Sequence, residues 1–343
     1  MDFFAAKGRV ALPAILCGWT CGLAGCAFDI FSRSTAFDSR PLTLQTISLF
    51  NQRTPSRLAK RSWKGDWIFR RDRLELIDQE LKNTKPDVLL LQEMVEKIGS
   101  SSESDWRILA AGSLSDYEWR QQQVDEYADT QETEALAVAA LLPAKFSGDS
   151  PLRPETWVMG KDGYLMATSI DYEDQPVTVF DVQMPAAGSD NSYLWYSFVQ
   201  ERILDKLKKQ KRCAKRLVVG GYLPGDENAR RFAEFVGSLQ LKDVSSGFCQ
   251  IASRCYTATP TNDMFMATVG DESPTRTDRI FVHQSAFIYT SARNFEESDA
   301  SNHYARDFGL TRLWPTQRFG WVAQVRLARC RNDELEHMGP DGG

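Results

Sequence analysis

Three histidines, His283, His303 and His337, are the only imidazoles in a chain of 343 residues. Histidine is the side chain that exchanges a proton near neutral pH without help from its surroundings, so acid–base chemistry has few places to start. His303 falls in the loop before the last strand, where it is either a base or an ordinary loop histidine, and the sequence gives it no partner. Cysteine adds no metal site. Cys213, Cys249, Cys255 and Cys330 fit no zinc finger or ribbon, and histidines at ligand spacing are missing. The densest charge lies at residues 53–73. There Arg53, Arg57, Lys60, Arg61, Lys64, Arg70, Arg71 and Arg73 outnumber Asp66 and Asp72, with Trp63 and Trp67 interleaved. Such a run is either a lip for an anion (phosphate, a lipid headgroup or nucleic acid) or a solvated loop and helix start with locally packed tryptophans. Asp125, Glu126, Asp129, Glu132 and Glu134 read as a solvated hairpin loop, and Met264 and Met266 as packing residues.

The elements that must position these groups are legible in the hydrophobic pattern. Apolar residues make up 42 %, charged residues 25 % and aromatics 11 %, which is material for a sizeable core and excludes a disordered tail, a fibre and a multi-span membrane protein. The net charge of -5 argues against a general nucleic-acid binder. Strands are expected at Leu42 to Phe50, Val88 to Leu91, Trp119 to Val124, Ala135 to Leu142, Leu165 to Asp171, Val177 to Gln183, Leu217 to Tyr222, Arg279 to His283 and Gly320 to Leu327. Helices are expected at Arg71 to Lys82, with Leu74, Ile77 and Leu81 on one face; at Ser192 to Gln210, with Leu194, Phe198, Ile203 and Leu207 inward; and at Ala229 to Leu239.

The N-terminus reads as a targeting segment. Lys7 and Arg9 precede an uncharged run from Val10 to Gly25, too short for the ~20 residues of a transmembrane helix. It ends in Leu23-Ala24-Gly25-Cys26, which resembles the lipobox of bacterial lipoproteins, where the cysteine is lipidated and becomes the new N-terminus. The resemblance implies a signal peptide over 1–25 and a lipid anchor at Cys26; the polar stretch to residue 41 reads as a linker over 26–41, the patterned elements as a domain over 42–330, and 331–343, ending in Gly and Pro, as a loose tail. Ala27, where an aspartate would signal retention at an inner membrane, favours an outer-membrane anchor in the bacterial envelope. In that oxidising compartment four cysteines remain, and Cys249 with Cys255 is the expected disulfide because their spacing closes a small loop.

A strand ending in Asn51, a helix, and then Lys-Pro-Asp-Val-Leu-Leu-Leu-Gln-Glu at 85–93 resemble the opening of the endonuclease/exonuclease/phosphatase superfamily, which includes deoxyribonuclease I, exonuclease III and the neutral sphingomyelinases. The element order fits from Leu42 to Leu327. The resemblance implies an α/β fold, a four-layer sandwich of two mixed β-sheets flanked by helices, with the site at the ends of the strands. It also implies phosphoester hydrolysis with Mg²⁺ or another divalent cation held by carboxylates, and puts the basic run 53–73 close to the site.

Laid over the family motifs, the sequence keeps three positions. Asn51 is the first-strand asparagine, Glu93 the metal-binding glutamate beside Gln92, and Asp278 opens the strand read as asp-x-ile-phe, so Glu93 and Asp278 are the remnant metal positions. Five positions are replaced. Gln183 stands for the histidine of asn-x-his-leu, and Gly221 and Leu223 for the aspartate and asparagine of gly-asp-phe-asn. Gln317 and Arg318 stand for the aspartate and histidine of ser-asp-his. Gln and Arg take no proton near neutral pH, so the family mechanism has lost its base. Gly225-Asp226-Glu227-Asn228 spells a similar motif a few residues later, but Pro224-Gly225 is a turn signal and Asn228 a helix N-cap, so it is read as a decoy. Arg318 could pair with Glu93 or Asp278 in place of a metal, or serve as an anion ligand. The expectation is an envelope lipoprotein with a hydrolase-like fold and an inactive site, binding a protein partner in the envelope or an anionic ligand and needing no cofactor. The alternative is a divergent divalent-metal phosphodiesterase or phosphatase using Glu93, Asp278 and local groups such as Asp181 or Asp226.

Overall fold

The structure, a computed structural model, describes residues 40–49, 70–97, 104–127, 132–148, 154–159, 163–184, 192–208, 215–224, 230–246, 256–257, 276–294 and 320–327. Asn51, Gln317, Arg318, Asp226, His303, the targeting segment with Cys26, the pair Cys249 and Cys255, the Met264/Met266 pair and residues 53–69 lie outside them. In chain order the described elements begin with β1 (Leu42–Ser48), α1 (Arg70–Thr84), β2 (Val88–Lys97), α2 (Asp105–Ala110), β3 (Glu118–Tyr127), β4 (Glu132–Ala140), β5 (Ala144–Phe146) and β6 (Glu155–Val158). They continue with β7 (Tyr164–Tyr172), β8 (Gln175–Gln183), α3 (Ser192–Lys208), β9 (Leu217–Tyr222), α4 (Arg230–Ser238), β10 (Leu241–Asp243), β11 (Asp278–His283), β12 (Phe287–Asn294) and β13 (Trp321–Leu327).

The strands form two mixed sheets. One runs β12-β13-β1-β2-β4-β3, and the other β10-β11-β9-β8-β7-β5, with β6 also paired to β7. β1 and β2 are parallel and joined through α1, as are β8 and β9 through α3; the other pairings are antiparallel. Strand alternation sorts the apolar residues into three clusters. Leu42, Leu44, Val88 and Leu90 of the first sheet meet Val177, Val179, Ile280 and Val282 of the second in the shared interior. Ile47, Leu89, Leu91 and Met94 face the other way, onto Leu74, Ile77 and Leu81 of α1 and Leu109 of α2. Phe180, Val182, Val219 and Phe281 face Tyr196, Val199, Ile203 and Leu207 of α3 and Phe232 and Phe235 of α4. The result is helix, sheet, sheet, helix: the four-layer sandwich expected from the sequence.

Three expectations need correction. The inward stripe of α3 is Tyr196, Val199, Ile203 and Leu207, while Leu194 is 45 % exposed and Phe198 only partly buried. Spacing at i, i+3, i+4 fits this stripe better than the run that includes Leu194. The acidic stretch is not all loop: Asp125 and Glu126 continue β3, and Glu132 and Glu134 begin β4, with Asp125 opposite Glu134. The strand expected at Val88 to Leu91 runs on to Lys97, because a bulge between Leu91 and Met94 lets pairing with β4 resume.

At the pole where β1 begins, the chain is pinned. The Arg40 amide donates to Glu173 Oε1 at 3.1 Å, its carbonyl accepts from the Tyr172 hydroxyl at 2.8 Å, and its guanidinium meets the buried Asp87 carboxylate at 3.1 Å. Asp87 also accepts from the Thr43 amide at 2.7 Å. Burial pushes the Asp87 carboxyl up, and these partners only partly offset it.

A charged cluster ties β10 to β11. Asp243 Oδ2 lies 2.5 Å from Arg276 Nη2 and 3.2 Å from Arg279 Nη1, and its Oδ1 accepts from the Ser245 hydroxyl at 2.6 Å. The Arg279 guanidinium is buried, donates to the Arg276 carbonyl at 3.1 Å and stacks 4.6 Å from the Phe232 ring centre. Burial pushes the Asp243 carboxyl up; Arg276, then Arg279 and Ser245, outweigh it and hold it below its ordinary value. Asp243→Ala removes the carboxylate that two buried guanidiniums share and should cost about 3–5 kcal/mol in urea unfolding. A carboxyl held low contributes stability above its unfolded pKa and loses it as pH falls through the folded one, so the gap between native and variant should close below about pH 4. A loss near zero at pH 7 would show that the cluster does not support the β10–β11 junction.

Candidate functional site

The inner face of the sandwich is apolar along most of its length and turns polar at one end. There Thr46 and Ser48 of β1, Gln92 of β2, Asp181 and Gln183 of β8 and Asp278 of β11 continue the inward rows of Leu44, Leu90, Val179 and Ile280. Register brings the strand ends together: Ser48 lies opposite Gln92, Gln183 opposite Tyr222, and Tyr222 opposite Asp278.

Glu93 is aimed by the β2 bulge. Gln92 and Glu93 stand where β4 offers one residue, Leu136, and Glu93 takes φ +54, a left-handed conformation that costs a non-glycine residue of order 1 kcal/mol or more. The extra residue inverts the alternation. Gln92 stays inward, Met94 joins the α1 layer, and the half-buried Glu93 side chain stays at the cleft end. Its carboxylate Oε2 accepts from the Ser48 hydroxyl at 2.8 Å, and its amide donates to Gln183 Oε1 at 3.3 Å. Gln183, where the resemblance asks for histidine, thus holds the backbone of the bulge across the two sheets.

Beneath Glu93, Gln92 bridges the sheets. Its Oε1 accepts from the Thr46 hydroxyl at 3.2 Å, and its Nε2 donates to Asp181 Oδ1 at 2.5 Å. Asp181 has no solvent exposure, and burial pushes its carboxyl well above the ordinary range; Gln92 and the backbone groups of Val182 and Leu91 pull down and do not offset it. Sequence reasoning treated Asp181 as an optional local group. The signal it carried was an acid at an inward strand position between Val179 and Gln183.

Asp278 is also fully buried. The Thr277 hydroxyl donates to its Oδ2 at 2.9 Å, and Thr257 Oγ1 takes the amides of Thr277 at 2.8 Å and Asp278 at 3.0 Å. With the Thr277 proton spent on Asp278, the 3.0 Å contact between the two threonine hydroxyls is donated by Thr257.

Gly221 and Leu223 belong to the packing. Gly221 has φ +124, and a Cβ there would lie 2.1 Å from the Val182 carbonyl oxygen, so this backbone carries no side chain at the position of the expected aspartate. Leu223 is fully buried in the layer of Tyr196, Phe232 and Phe281. β9 runs on to Tyr222, which keeps Gly220-Gly221-Tyr222-Leu223 at the cleft end of the strand.

Solved structures share this fold. An endonuclease/exonuclease/phosphatase family protein from Bacteroides thetaiotaomicron is 14% identical, with 85% of this chain and 100% of that one covered at a TM-score of 0.59. One from Leptotrichia buccalis is 11% identical, over 83% and 99% of the two chains, at 0.55. The human Nocturnin catalytic domain, solved with a bound sulfate anion, is 14% identical over 84% and 93%, at 0.51. The chain has the endonuclease/exonuclease/phosphatase fold. No family model matches the sequence, and no curated protein sequence matches it.

The divalent cation that this fold implies asks for several oxygen ligands in a shared cage. Among the described residues no three His, Cys, Asp or Glu side chains stand together as a metal set. Glu93 is engaged by Ser48, Asp278 is buried against Thr277, and burial favours the proton on Asp181. The described residues therefore do not fit the metal, and no chemical step is derived through it.

The two adjacent glycines make opposite predictions for substitution. A Cβ at Gly220 would meet the mobile end of the Leu90 side chain at 2.4 Å, whereas at Gly221 it meets backbone. Gly221→Ala should lower stability by about 2–5 kcal/mol, and Gly221→Asp by at least as much. Gly220→Ala should cost less. Chemical denaturation of the three variants decides it, and a well-tolerated Gly221→Asp would mean that the catalytic aspartate can still be accommodated.

Proposed function

We propose that this chain is a lipid-anchored envelope protein that keeps the endonuclease/exonuclease/phosphatase fold without its hydrolysis and acts as a binding or scaffold module. The observation that carries this reading is Gly221, whose backbone leaves no room for a side chain where the fold's hydrolases are expected to carry their aspartate. Gln183 supports it, since its amide is spent on the Glu93 backbone and takes no proton. Gln317 and Arg318 complete the loss by sequence. A missing general base alone removes about 10²–10⁴ in rate, and groups acting as a unit do not recover singly.

The test is hydrolysis by the natural protein. Purified with Mg²⁺ or Mn²⁺, it should release nothing above background from DNA, RNA, sphingomyelin or simple phosphodiesters. A second reading, a divergent phosphodiesterase or phosphatase, draws on one feature: Glu93 is still held in a strained conformation at the cleft. Robust turnover abolished by Glu93→Ala would replace the binding reading with that one.

The anchor rests on Leu23-Ala24-Gly25-Cys26 and the uncharged run before it. Cys26→Ser should leave the membrane fraction or accumulate unprocessed, as followed by fractionation and mass spectrometry. Normal processing and membrane retention of that variant would defeat the anchor, with no bearing on the site.

A further inference from the structure

We propose that Asp181 and Gln92 form a proton-dependent clasp between the two sheets, closed while Asp181 is protonated and opened to water when it ionises. Asp181 lies wholly inside the sandwich, with Gln92 of the opposite sheet on its Oδ1 at 2.5 Å and no hydrogen-bond partner for its Oδ2 among the described residues. A neutral carboxyl with one unmet oxygen costs about 1–3 kcal/mol, while a buried carboxylate costs several. Ionisation would strengthen the bond from Gln92, but a hydrogen bond to a charged group contributes about 1.5–3 kcal/mol and does not offset that burial.

Gln92 can also meet the neutral acid as an acceptor. Oxygen and nitrogen of a glutamine amide are assigned from their partners. Turned over, Gln92 accepts the Asp181 proton on Oε1 and donates Nε2 to the Thr46 hydroxyl. That arrangement exists only while the proton is present.

The surroundings leave the proton to burial. On the facing surfaces β1 offers Thr46, β4 Leu136 and Val138, β7 Met166, and β9 Gly220. The titratable groups on these surfaces at this end are Glu93 of β2, Tyr164 of β7 and Asp278 of β11, and none contributes to the upward shift of Asp181, which comes from burial. A group whose folded pKa is raised favours folding below its unfolded pKa. It loses that advantage as pH rises toward the folded value. Above it the proton passes to water, and the carboxylate is hydrated only if water enters between β2 and β8.

The clasp lies directly beneath the cleft of the binding reading, so it would regulate that same site. Its test uses no ligand and no substrate, and either can fail without the other. Hydrogen exchange on the full chain, corrected for intrinsic rates, should show protection of Leu49 (bonded to the Gln92 carbonyl), Glu93 and Met184 falling at least tenfold between pH 6 and pH 9. Asp87 and Leu141 at the far pole serve as the reference and should hold their protection. Asp181→Asn offers Gln92 both a donor and an acceptor and has no titrating proton to lose, so it should stay protected at both pH values. Infrared difference spectra across the same range should show a protonated-carboxyl C=O band that disappears with rising pH and is missing from Asp181→Asn. Cleft-end protection independent of pH, the same pH dependence in Asp181→Asn, or a carboxylate band for Asp181 at pH 6 would each overturn the proposal.

Discussion

Two sheets packed face to face must share one dry interior, and the rest of the molecule follows from where that interior admits polar groups. Over most of its length it is apolar: Leu42, Leu44, Val88, Val177, Val179 and Val282 make a core in which an unpaired polar atom would cost what several methylenes contribute. At one end Thr46, Gln92 and Asp181 cross the gap as a linked set. The β2 bulge is needed because Gln92 must point inward while Met94 returns to the α1 layer. Gly220 belongs to the same constraint, since a Cβ there would overlap Leu90 of the facing sheet. The cleft is the place where the interior stops being dry.

That placement explains why the replaced motif positions are not simply vacancies in an otherwise intact site. Gln183 binds the Glu93 amide and so fixes the bulge. Leu223 extends the apolar layer under α3 and α4. Gly221 lets β9 lie so close to β8 that its Cβ position overlaps the Val182 carbonyl. Each has been taken up by packing or by the backbone, which makes the departure one of architecture as well as of chemistry. The far pole shows the contrast: Arg40, Asp87, Thr43 and Tyr172 form a bonded set that closes the sandwich where β1 begins.

Much of this was legible in the sequence because long, strongly patterned segments leave little choice. The runs at Val88 to Leu91, Val177 to Gln183 and Leu217 to Tyr222 are buried on both faces, and the order of strands and helices selects the four-layer sandwich. Short elements were not legible. α2, β5, β6 and β10 are six residues or fewer, and tertiary pairing holds them more than their own pattern does. β12, Phe-Ile-Tyr-Thr-Ser-Ala-Arg-Asn, shows no clean alternation and pairs with β13 through an irregular register. In the site, residue types showed which motif positions are replaced, but the left-handed Glu93, the positive φ of Gly221 and the cross-sheet partner of Gln92 are three-dimensional facts with no local signature.

The departures from the family motifs share a direction. Gln183, Gly221, Leu223 and Gln317 each stand where the fold's hydrolases are expected to carry a titratable or polar group, and each is neutral; Arg318 brings a charge that does not titrate. Asp181 runs the other way. It stands two residues before Gln183, where the asn-x-his-leu pattern has a neutral amide, and so adds a titratable group at a position where the pattern has none. Burial narrows that difference, because it favours the protonated carboxyl, which is nearly an isostere of the amide and can donate as well as accept. The inner wall that results is made of hydroxyls, amides and a buried acid, with Glu93 as the carboxylate left within reach of solvent. Among the described residues such a wall offers an incoming ligand hydrogen bonds and a carboxylate within reach of solvent. On the binding reading that suffices to hold a molecule, whereas cleaving one would need a poised base as well.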